Sequence, residues 1–242
     1  MSGPSRLLHF ERQGGAPPED DEELTVLDDG SFSARRTIGG RMIGTFAGQL
    51  ESTAQLDLKR ALAAAAKADD LTLETPRHGA TEVLEAGGRT LRIGSNEMPR
   101  APWRALVERV RAMLTDEVVD APAAAIELLA DSRTARLVHV GSEPLEVDIG
   151  SLAVRVTRMS DEGGVLGRWN GRPAGSLVDN GERLVPTPRW VTAGPGWSAP
   201  LPFDHPLELA PGDMLQVWVD VPIRDGERER DGRLYVPVLT DA

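Results

Sequence analysis

The chain has 242 residues, a formal net charge of −11 and no cysteine. The negative charge disfavours binding to phosphate backbones, and the lack of thiols excludes disulfides and thiolate zinc sites. No apolar run approaches the length of about 20 residues that a membrane-spanning helix needs, and the N-terminal segment lacks the apolar core of a secretory signal. We therefore expect a cytoplasmic protein without nucleic-acid or membrane partners.

The residue pattern changes near Pro122. Before this residue, strand-like runs alternate with two helical patterns, whereas after it nearly everything is strand, turn or proline. The length permits two domains of common size. We predict an α+β domain over residues 6–116, with an antiparallel sheet and two helices, followed by an all-β immunoglobulin-like sandwich over residues 124–242.

Short apolar runs separated by turn residues predict the sheet of the first domain. Asp28-Asp29-Gly30 and Gly87-Gly88 are typical of tight hairpin turns, because glycine adopts positive φ angles at low cost. Gly39 and Gly40 predict a further exposed turn, and the acidic run at 17–23 predicts a solvated loop. The predicted strands cover residues 7–13, 24–27, 31–37, 42–50, 81–86 and 89–93.

Two helices are predicted in the same domain. Ser52 and Gln55 match the capping box that begins a helix, and the alanine-rich stretch after them has high helical propensity up to a boundary at Asp69-Asp70. Pro102 suits the first turn of the second helix. One apolar stripe on that helix, which we expect to pack on the sheet, contains Trp103, Leu106, Val107, Val110, Met113 and Leu114.

Residues 6–115 resemble the emfourin-type proteins, which are small inhibitors of protealysin and related thermolysin-like metalloproteases. The resemblance lies in the segments 10–15, 24–30 and 46–50, in their turns and apolar spacing, and in the order strands, helix, hairpin, helix. It implies the α+β fold and a metalloprotease as the partner. The positions that match are structural, so the resemblance assigns no functional residue.

Alternating and β-branched runs predict the strands of the second domain, at the spacing of a β-sandwich. In residues 214–221, Leu, Val, Val and Val alternate with Gln, Trp and Asp. The charged run 224–232 predicts a solvated hairpin tip. The predicted strands cover residues 126–130, 135–140, 145–149, 152–159, 214–221 and 234–239.

The segment 186–211 combines seven prolines with Trp190, Trp197, Phe203 and His205. Proline removes the backbone donor that a sheet ladder needs, so most of this segment is not expected in central strands. One interpretation is a long crossover whose tryptophans cover the ends of the core. The other is a binding surface, because a rigid segment that presents tryptophan loses little entropy on binding.

No catalytic, cofactor-binding or metal-binding residue is assigned. Residues 196–200 approach the serine nucleophile elbow, but Pro200 replaces its second glycine. Residues 194–199 match a dinucleotide fingerprint without the helix that it requires. His139 is expected to line a strand face. His205 lies beside Asp204, and an enzyme would need either histidine to meet carboxylates in space.

The sequence thus favours a non-catalytic protein-binding module without cofactors. The resemblance implies inhibition of a thermolysin-like metalloprotease as the form that this binding takes. The alternatives are an architectural protein of a larger assembly and an enzyme with a His/carboxylate site. Candidate partner-binding residues are Trp190, Trp197, Phe203, His205, Gly39 and Gly40.

Overall fold

A computed structural model describes residues 3–13, 22–36, 40–73, 80–95, 97–131, 134–160, 162–171, 177–179, 184–186, 188–201, 207–208, 210, 212–226 and 228–239. The structure is mainly β, with two helices in this part of the chain. It divides into two compact units, Met1–Arg36 with Thr45–Ala123, and Thr37–Gly44 with Ala124–Ala242.

The first unit contains a sheet in the order β4-β3-β2-β1-β6-β7-β5, to which β4 contributes its residues from 45 onward. Strand β5 joins β7 in parallel, whereas β2 pairs antiparallel with β1 and β3, and β6 with β1 and β7. The elements are β1 (Arg6–Gln13), β2 (Glu22–Leu27), β3 (Ser31–Arg36), β4 (Met42–Gln49), α1 (Ser52–Ala65), β5 (Leu71–Thr72), β6 (Thr81–Ala86), β7 (Arg89–Gly94) and α2 (Trp103–Thr115).

Both predicted hairpin turns are confirmed. Strands β2 and β3 meet around Gly30, whose φ is 85°, and β6 and β7 meet around Gly87 and Gly88, with φ of 57° and 76°. Residues with a Cβ rarely adopt these angles. The turn glycines therefore fix the pairing of the strands on either side.

The core of the first unit lies on one face of its sheet. Leu24, Phe10, Leu84 and Leu91 are cross-strand neighbours in one row, and all are buried. The predicted apolar stripe of α2 is confirmed, since all six of its residues are buried. Helices α1 and α2 contact each other, and α1 buries three apolar side chains of its own.

The predicted capping box of α1 is wrong, although the helix does begin at Ser52. The N-cap is Glu51, and no side chain caps the helix. Gln55 instead donates its amide N–H to the carbonyl oxygen of Asp28 at 3.3 Å, so it ties the helix to the β2–β3 turn. The helix ends at Ala65, before the predicted boundary at Asp69, whose carbonyl accepts a hydrogen bond from the Trp103 indole.

A row of alternating charges crosses the same face of the sheet at its end. Arg36, Glu22, Arg12 and Glu82 are neighbours on β3, β2, β1 and β6, and Glu22 and Glu82 are only 4% and 2% exposed. Arg12 lies 2.5 Å from Glu22 and 2.7 Å from Glu82. Arg111 of α2 contacts the other oxygen of Glu82 at 2.8 Å. This contact pins α2 to the sheet.

The second unit places strands in two sheets and a small hairpin. One sheet contains β16-β9-β8 and the start of β4, and the other has β12-β11-β17-β10-β15 with β18 on β17. The elements are β8 (Pro122–Ala130), β9 (Ala135–Gly141), β10 (Leu145–Asp148), β11 (Ala153–Met159), β12 (Val165–Gly171), β13 (Leu177–Asp179), β14 (Leu184–Pro186), β15 (Trp190–Ala193), β16 (Ser198–Pro200), β17 (Met214–Asp225) and β18 (Arg228–Leu239).

Strands β17 and β18 form a hairpin of twelve residue pairs, from Met214 opposite Leu239 to Asp225 opposite Arg228. The run 224–232, predicted as a hairpin tip, therefore lies mostly in the arms. Its opposite charges pair across the strands, as in the 3.2 Å contact of Arg224 with Glu229. Strand β12 was not predicted, because its sequence, with two glycines, an asparagine and an arginine, lacks apolar alternation.

Residues 37–44 belong to the second unit, whereas the sequence placed them in the first domain. The carbonyl of Gly40 accepts a hydrogen bond from the Tyr235 N–H at 2.6 Å, and that of Arg41 accepts one from the Leu128 N–H at 2.7 Å. Hydrogen bonds to β18 and β8 thus hold Gly40 and Arg41.

One hydrophobic cluster of the second unit draws on both of its sheets. It includes Ile126 and Leu137 from β8 and β9, and Val154 and Val217 from β11 and β17. Trp169 packs partly buried against it. The two sheets therefore share one core, while their immunoglobulin-like arrangement stays a prediction.

The charge row gives a stability prediction. Glu82→Ala should lower the free energy of unfolding by about 3 kcal/mol, because it leaves Arg12 and Arg111 without their shared counter-charge at a buried site. Glu85→Ala on the same strand removes an exposed pair with Arg6 and should lower it by less than about 1 kcal/mol. Denaturant unfolding of both variants measures the difference, and equal losses would contradict the assignment.

Candidate interaction surface

Three of the six predicted partner-binding residues fall outside the described residues, namely Gly39, Phe203 and His205. Gly40 lies in an exposed turn with φ of 48°, and a Cβ there would meet nothing within 4 Å. Trp190 and Trp197 are both described. The structure thus places half of the predicted set.

The two tryptophans of the proline-rich segment have different surroundings. Trp197 packs partly buried against the core of the second unit. Trp190 lies under the guanidinium of Arg224, 4.1 Å from its ring centre, and Arg224 is within 3.5 Å of both Glu146 and Glu229. One face of Trp190 is therefore covered by an internal cation–π contact.

The predicted effect of the prolines on this segment is confirmed for its described strands. Strand β15 pairs with β10 alone, and β16 pairs with β9 alone. Both are edge strands, where proline is tolerated because one side of the strand needs no ladder donor.

His139 is buried in β9, on the same side as Leu137. Its Nε2 lies 2.8 Å from the carbonyl oxygen of Glu143, and its Nδ1 has no partner in the described part of the chain. The contact is with a backbone carbonyl and not with a carboxylate. The described residues hold no cluster of three or more His, Asp or Glu side chains close enough to bind a metal ion.

Neither α1 nor α2 is long and apolar enough to cross a membrane.

The outer face of the β17 sheet holds a set of side chains that the sequence did not single out. Along β17, Leu215, Val217 and Val219 are buried in the core, while the residues between them are partly exposed. The side chains on the other face, shared with β11, β12 and β18, form what we call the outer face. The cross-strand register arranges them in rows.

The central row of the outer face is aromatic and polar. Asn170, Arg155, Trp218 and Tyr235 are successive neighbours across β12, β11, β17 and β18. The Trp218 and Tyr235 rings have centroids 4.4 Å apart and are tilted by 33°. Both rings are only partly buried, although they are large and apolar.

An apolar row lies at the end of the same face. Val165, Met159, Met214 and Leu239 are aligned across the same four strands. Val165 is 50% exposed and Leu239 is 73% exposed. Such a row gives the outer face an apolar border that water contacts.

Arginine dominates the charge of these rows. Arg155 and Arg168 are exposed, and the side chain of neither forms an ion pair or hydrogen bond within the described ranges. Arg233 is paired with Asp220 at 2.6 Å. The outer face around Trp218 is therefore positive, on a chain whose net charge is −11.

A cavity of about 590 Å³ lies beside the central row. Trp169 covers Gly171 at this point so closely that a Cβ on Gly171 would lie 2.1 Å from the ring. The cavity is lined by Ala153, Val154, Arg155, Asn170, Gly171 and Asp220.

Asp213 anchors the start of β17. Its carboxylate accepts hydrogen bonds from the Ala210 N–H at 2.7 Å and from the Arg158 guanidinium at 2.6 Å. These bonds lower the pKa of Asp213 below its ordinary value of 3.8, with the Ala210 bond as the largest cause. Because Arg158 belongs to β11, the pair holds β11 and β17 in the register that creates the rows.

The sequence contained a signal for this face. The alternation in residues 214–221 assigns Trp218 to the solvent side of its strand, where a polar residue is expected. An aromatic residue at a solvent position of a regular alternation marks a candidate contact surface. The sequence did not identify Tyr235 as the neighbour of Trp218, because the pairing between strands is set by the hairpin register.

A scan against family models found no match, and searches of curated proteins and of solved structures found none either. The surface must therefore be interpreted from its own residues.

The Asp213 anchor predicts a pH dependence. A carboxylate with a lowered pKa stabilises the fold above its unfolded pKa, and this contribution is lost as the pH falls through the folded pKa. The loss in unfolding free energy caused by Asp213→Asn should therefore be full at pH 6 and shrink as the pH falls below 3.8.

Denaturant unfolding at several pH values measures this difference. Asp231→Asn is the control, since the Asp231 side chain is exposed on β18 and forms no hydrogen bond or ion pair among the described residues, and its loss should be smaller. A loss for Asp213→Asn that stays constant from pH 6 to pH 3 would contradict the prediction.

Proposed function

We propose that this chain is a cytoplasmic, non-catalytic protein-binding module, and that the outer face is its contact surface. The observation that carries the proposal is the partly exposed aromatic row of Trp218 and Tyr235 beside arginine and methionine. Trp, Tyr, Met and Arg are the residues enriched at protein interfaces, whereas an ordinary solvated sheet face is polar. The negative net charge of the chain also disfavours a nucleic-acid partner.

The position of the aromatic pair supports the same function. Binding energy concentrates in central, well-packed anchors with a surrounding rim that excludes water. Trp218 and Tyr235 contact each other and have the apolar row on one side and Asp220 with Arg233 on the other. Their mutual packing restricts the rings, so binding would lose little side-chain entropy.

The finer architecture belongs to this proposal. The first unit would be the emfourin-like α+β domain, which its order of strands, helix, hairpin and helix supports. The second would be an immunoglobulin-like sandwich, supported by the core that its two sheets share. Such a fold carries no function by itself. An architectural protein of a larger assembly would use the same outer face.

A second candidate is inhibition of a thermolysin-like metalloprotease, which rests on the resemblance of residues 6–115 to emfourin-type proteins. Blocking a protease cleft requires complementary surface and no reactive residue. The exposed turn at Gly40 is the favoured contact, and the assignment of residues 37–44 to the second unit means that this unit would present it.

The contact surface can be tested by affinity capture from the source cells, with captured proteins purified and their binding to the chain measured by calorimetry. Combined Trp218→Ala and Tyr235→Ala changes should weaken binding by at least tenfold, because they remove the proposed anchors. Thermal unfolding checks that the variant is folded. Thr192→Ala, at an exposed position of β15, should leave the affinity unchanged.

Two other results would redirect the proposal. Loss of binding in a folded Trp190→Ala, Trp197→Ala variant, with the Trp218 variant unaffected, would move the site to the proline-rich segment. A purified partner that binds every variant equally would exclude both surfaces.

Inhibition has its own assay, the hydrolysis of a peptide substrate by thermolysin or protealysin with increasing amounts of the intact chain. We expect saturable inhibition that Gly40→Asn weakens, since asparagine tolerates the φ of 48° but adds a side chain at the contact. Gly88→Asn, at another turn glycine with open space around it, is the matched control. No inhibition at a large molar excess would exclude this candidate.

A further inference from the structure

The outer face also specifies the chemistry of its partner. We infer that it binds a protein segment in which acidic residues are flanked by apolar ones. This inference rests on the proposed function and adds a substrate class to it, namely the charge and pattern of the bound segment. It is carried by the exposed arginines and by the rows on either side of them.

The two exposed arginines lie close together, and Asp220, which is diagonal to Arg155 on β17, is already paired with Arg233. Arg155 is opposite Asn170, and Arg168 is opposite Thr157, so the two arginines are diagonal neighbours on β11 and β12. Diagonal neighbours in an antiparallel pair are about 7 Å apart, within reach of long side chains. Neither has an ion pair in the described part of the chain. A carboxylate between them would replace repulsion by attraction on both sides.

Many arginines of the two units are paired with carboxylates, whereas Arg155 and Arg168 are two neighbouring arginines that are not. Arg12, Arg36 and Arg111 all meet buried glutamates in the first unit. In the second unit, Arg158, Arg224 and Arg233 are paired with carboxylates on neighbouring strands. Arg155 and Arg168 have none, although the chain carries a large excess of acidic residues. An acidic group of a ligand would supply the counter-charge that the protein itself does not provide for Arg155 and Arg168.

The rows fix the pattern of the segment. The apolar row with Met214, the row with Arg168 and the row with Arg155 and Trp218 follow one another at intervals of two residues along β11 and β17. Successive rows are therefore about 7 Å apart. A segment that crosses them meets apolar side chains, then Arg168, and then Arg155 together with the aromatic pair. Apolar residues on both sides of one or two carboxylates match this order.

A second copy of the chain does not fit the same face. A symmetric pairing brings a patch against itself, so that Arg155 and Arg168 of one protomer would approach those of its partner. Like charges in a desolvated contact are strongly unfavourable. Charge complementarity therefore favours a different, acidic protein segment.

The test uses a phage-displayed library of random 12-residue peptides, selected on the intact protein. We expect the enriched peptides to combine Asp or Glu with apolar residues. The best peptide, synthesised and measured by calorimetry, should bind an Arg155→Glu, Arg168→Glu variant at least tenfold more weakly, and its affinity should fall with added salt. Arg136→Glu, at another exposed and unpaired arginine, should have no effect.

A charge-reversed peptide provides the most specific test. A peptide with Lys in place of its acidic residues should bind the double Glu variant better than it binds the intact protein, which a merely misfolded variant could not achieve. Enrichment of neutral or basic peptides, no enrichment at all, or a best peptide that binds the double variant unchanged would overturn the inference.

The two proposals fail separately. Peptides that need Trp218 and Tyr235 but ignore the arginines overturn the acidic segment and leave the contact surface standing. Peptides that need neither the arginines nor the aromatic pair count against both. Association of the protein with itself that the Trp218→Ala change abolishes would identify a second copy as the occupant, and would also overturn the inference.

Discussion

The register of β17 against its neighbours is the constraint on which the second unit depends. Strand β17 pairs with β18 along its whole length, and its opposite edge carries first β11 and then β10. Because side chains alternate between the two faces of a sheet, a slip of one residue would bring Trp218 into the core and expose Val217. The core and the outer face are therefore set by the same pairing. The Asp213–Arg158 contact matters because it fixes this pairing at the start of the strand.

Cross-strand register also sets the charge row of the first unit, but there the charges are buried and paired. Its register places Arg12 between Glu22 and Glu82, so each charge meets an opposite one across the strands. Burial makes this pairing necessary, since an unpaired buried charge is strongly destabilising. On the outer face, Arg155 and Arg168 are exposed, and water can solvate them without a partner. Exposure is what permits unsatisfied charge to persist in the folded protein, and so to be available to a ligand.

Local signals in the sequence predicted much of this structure. The Gly87-Gly88 turn, the apolar stripe of α2 and the alternation along β17 each depend on a few neighbouring residues, and each is confirmed. The capping box failed because Gln55 bonds to Asp28, which is distant in sequence. Strand β12 and the length of the β17–β18 hairpin were missed for a related reason. Their polar residues are held in strands by partners across the sheet rather than by their own propensity.

The outer face shows why a site of this kind is visible in sequence only in part. The alternation assigned Trp218 to solvent, which already contradicts the usual polar composition of an exposed sheet face. What the sequence could not give was its neighbours, because Arg155, Asn170 and Tyr235 join it only through three separate pairings. Residues that become neighbours only through the pairing of strands are far apart in sequence, so they form no motif along the chain. Its chemistry becomes specific only when the strands are assembled, and the unpaired arginines then give the aromatic pair a preferred sign of charge in its partner.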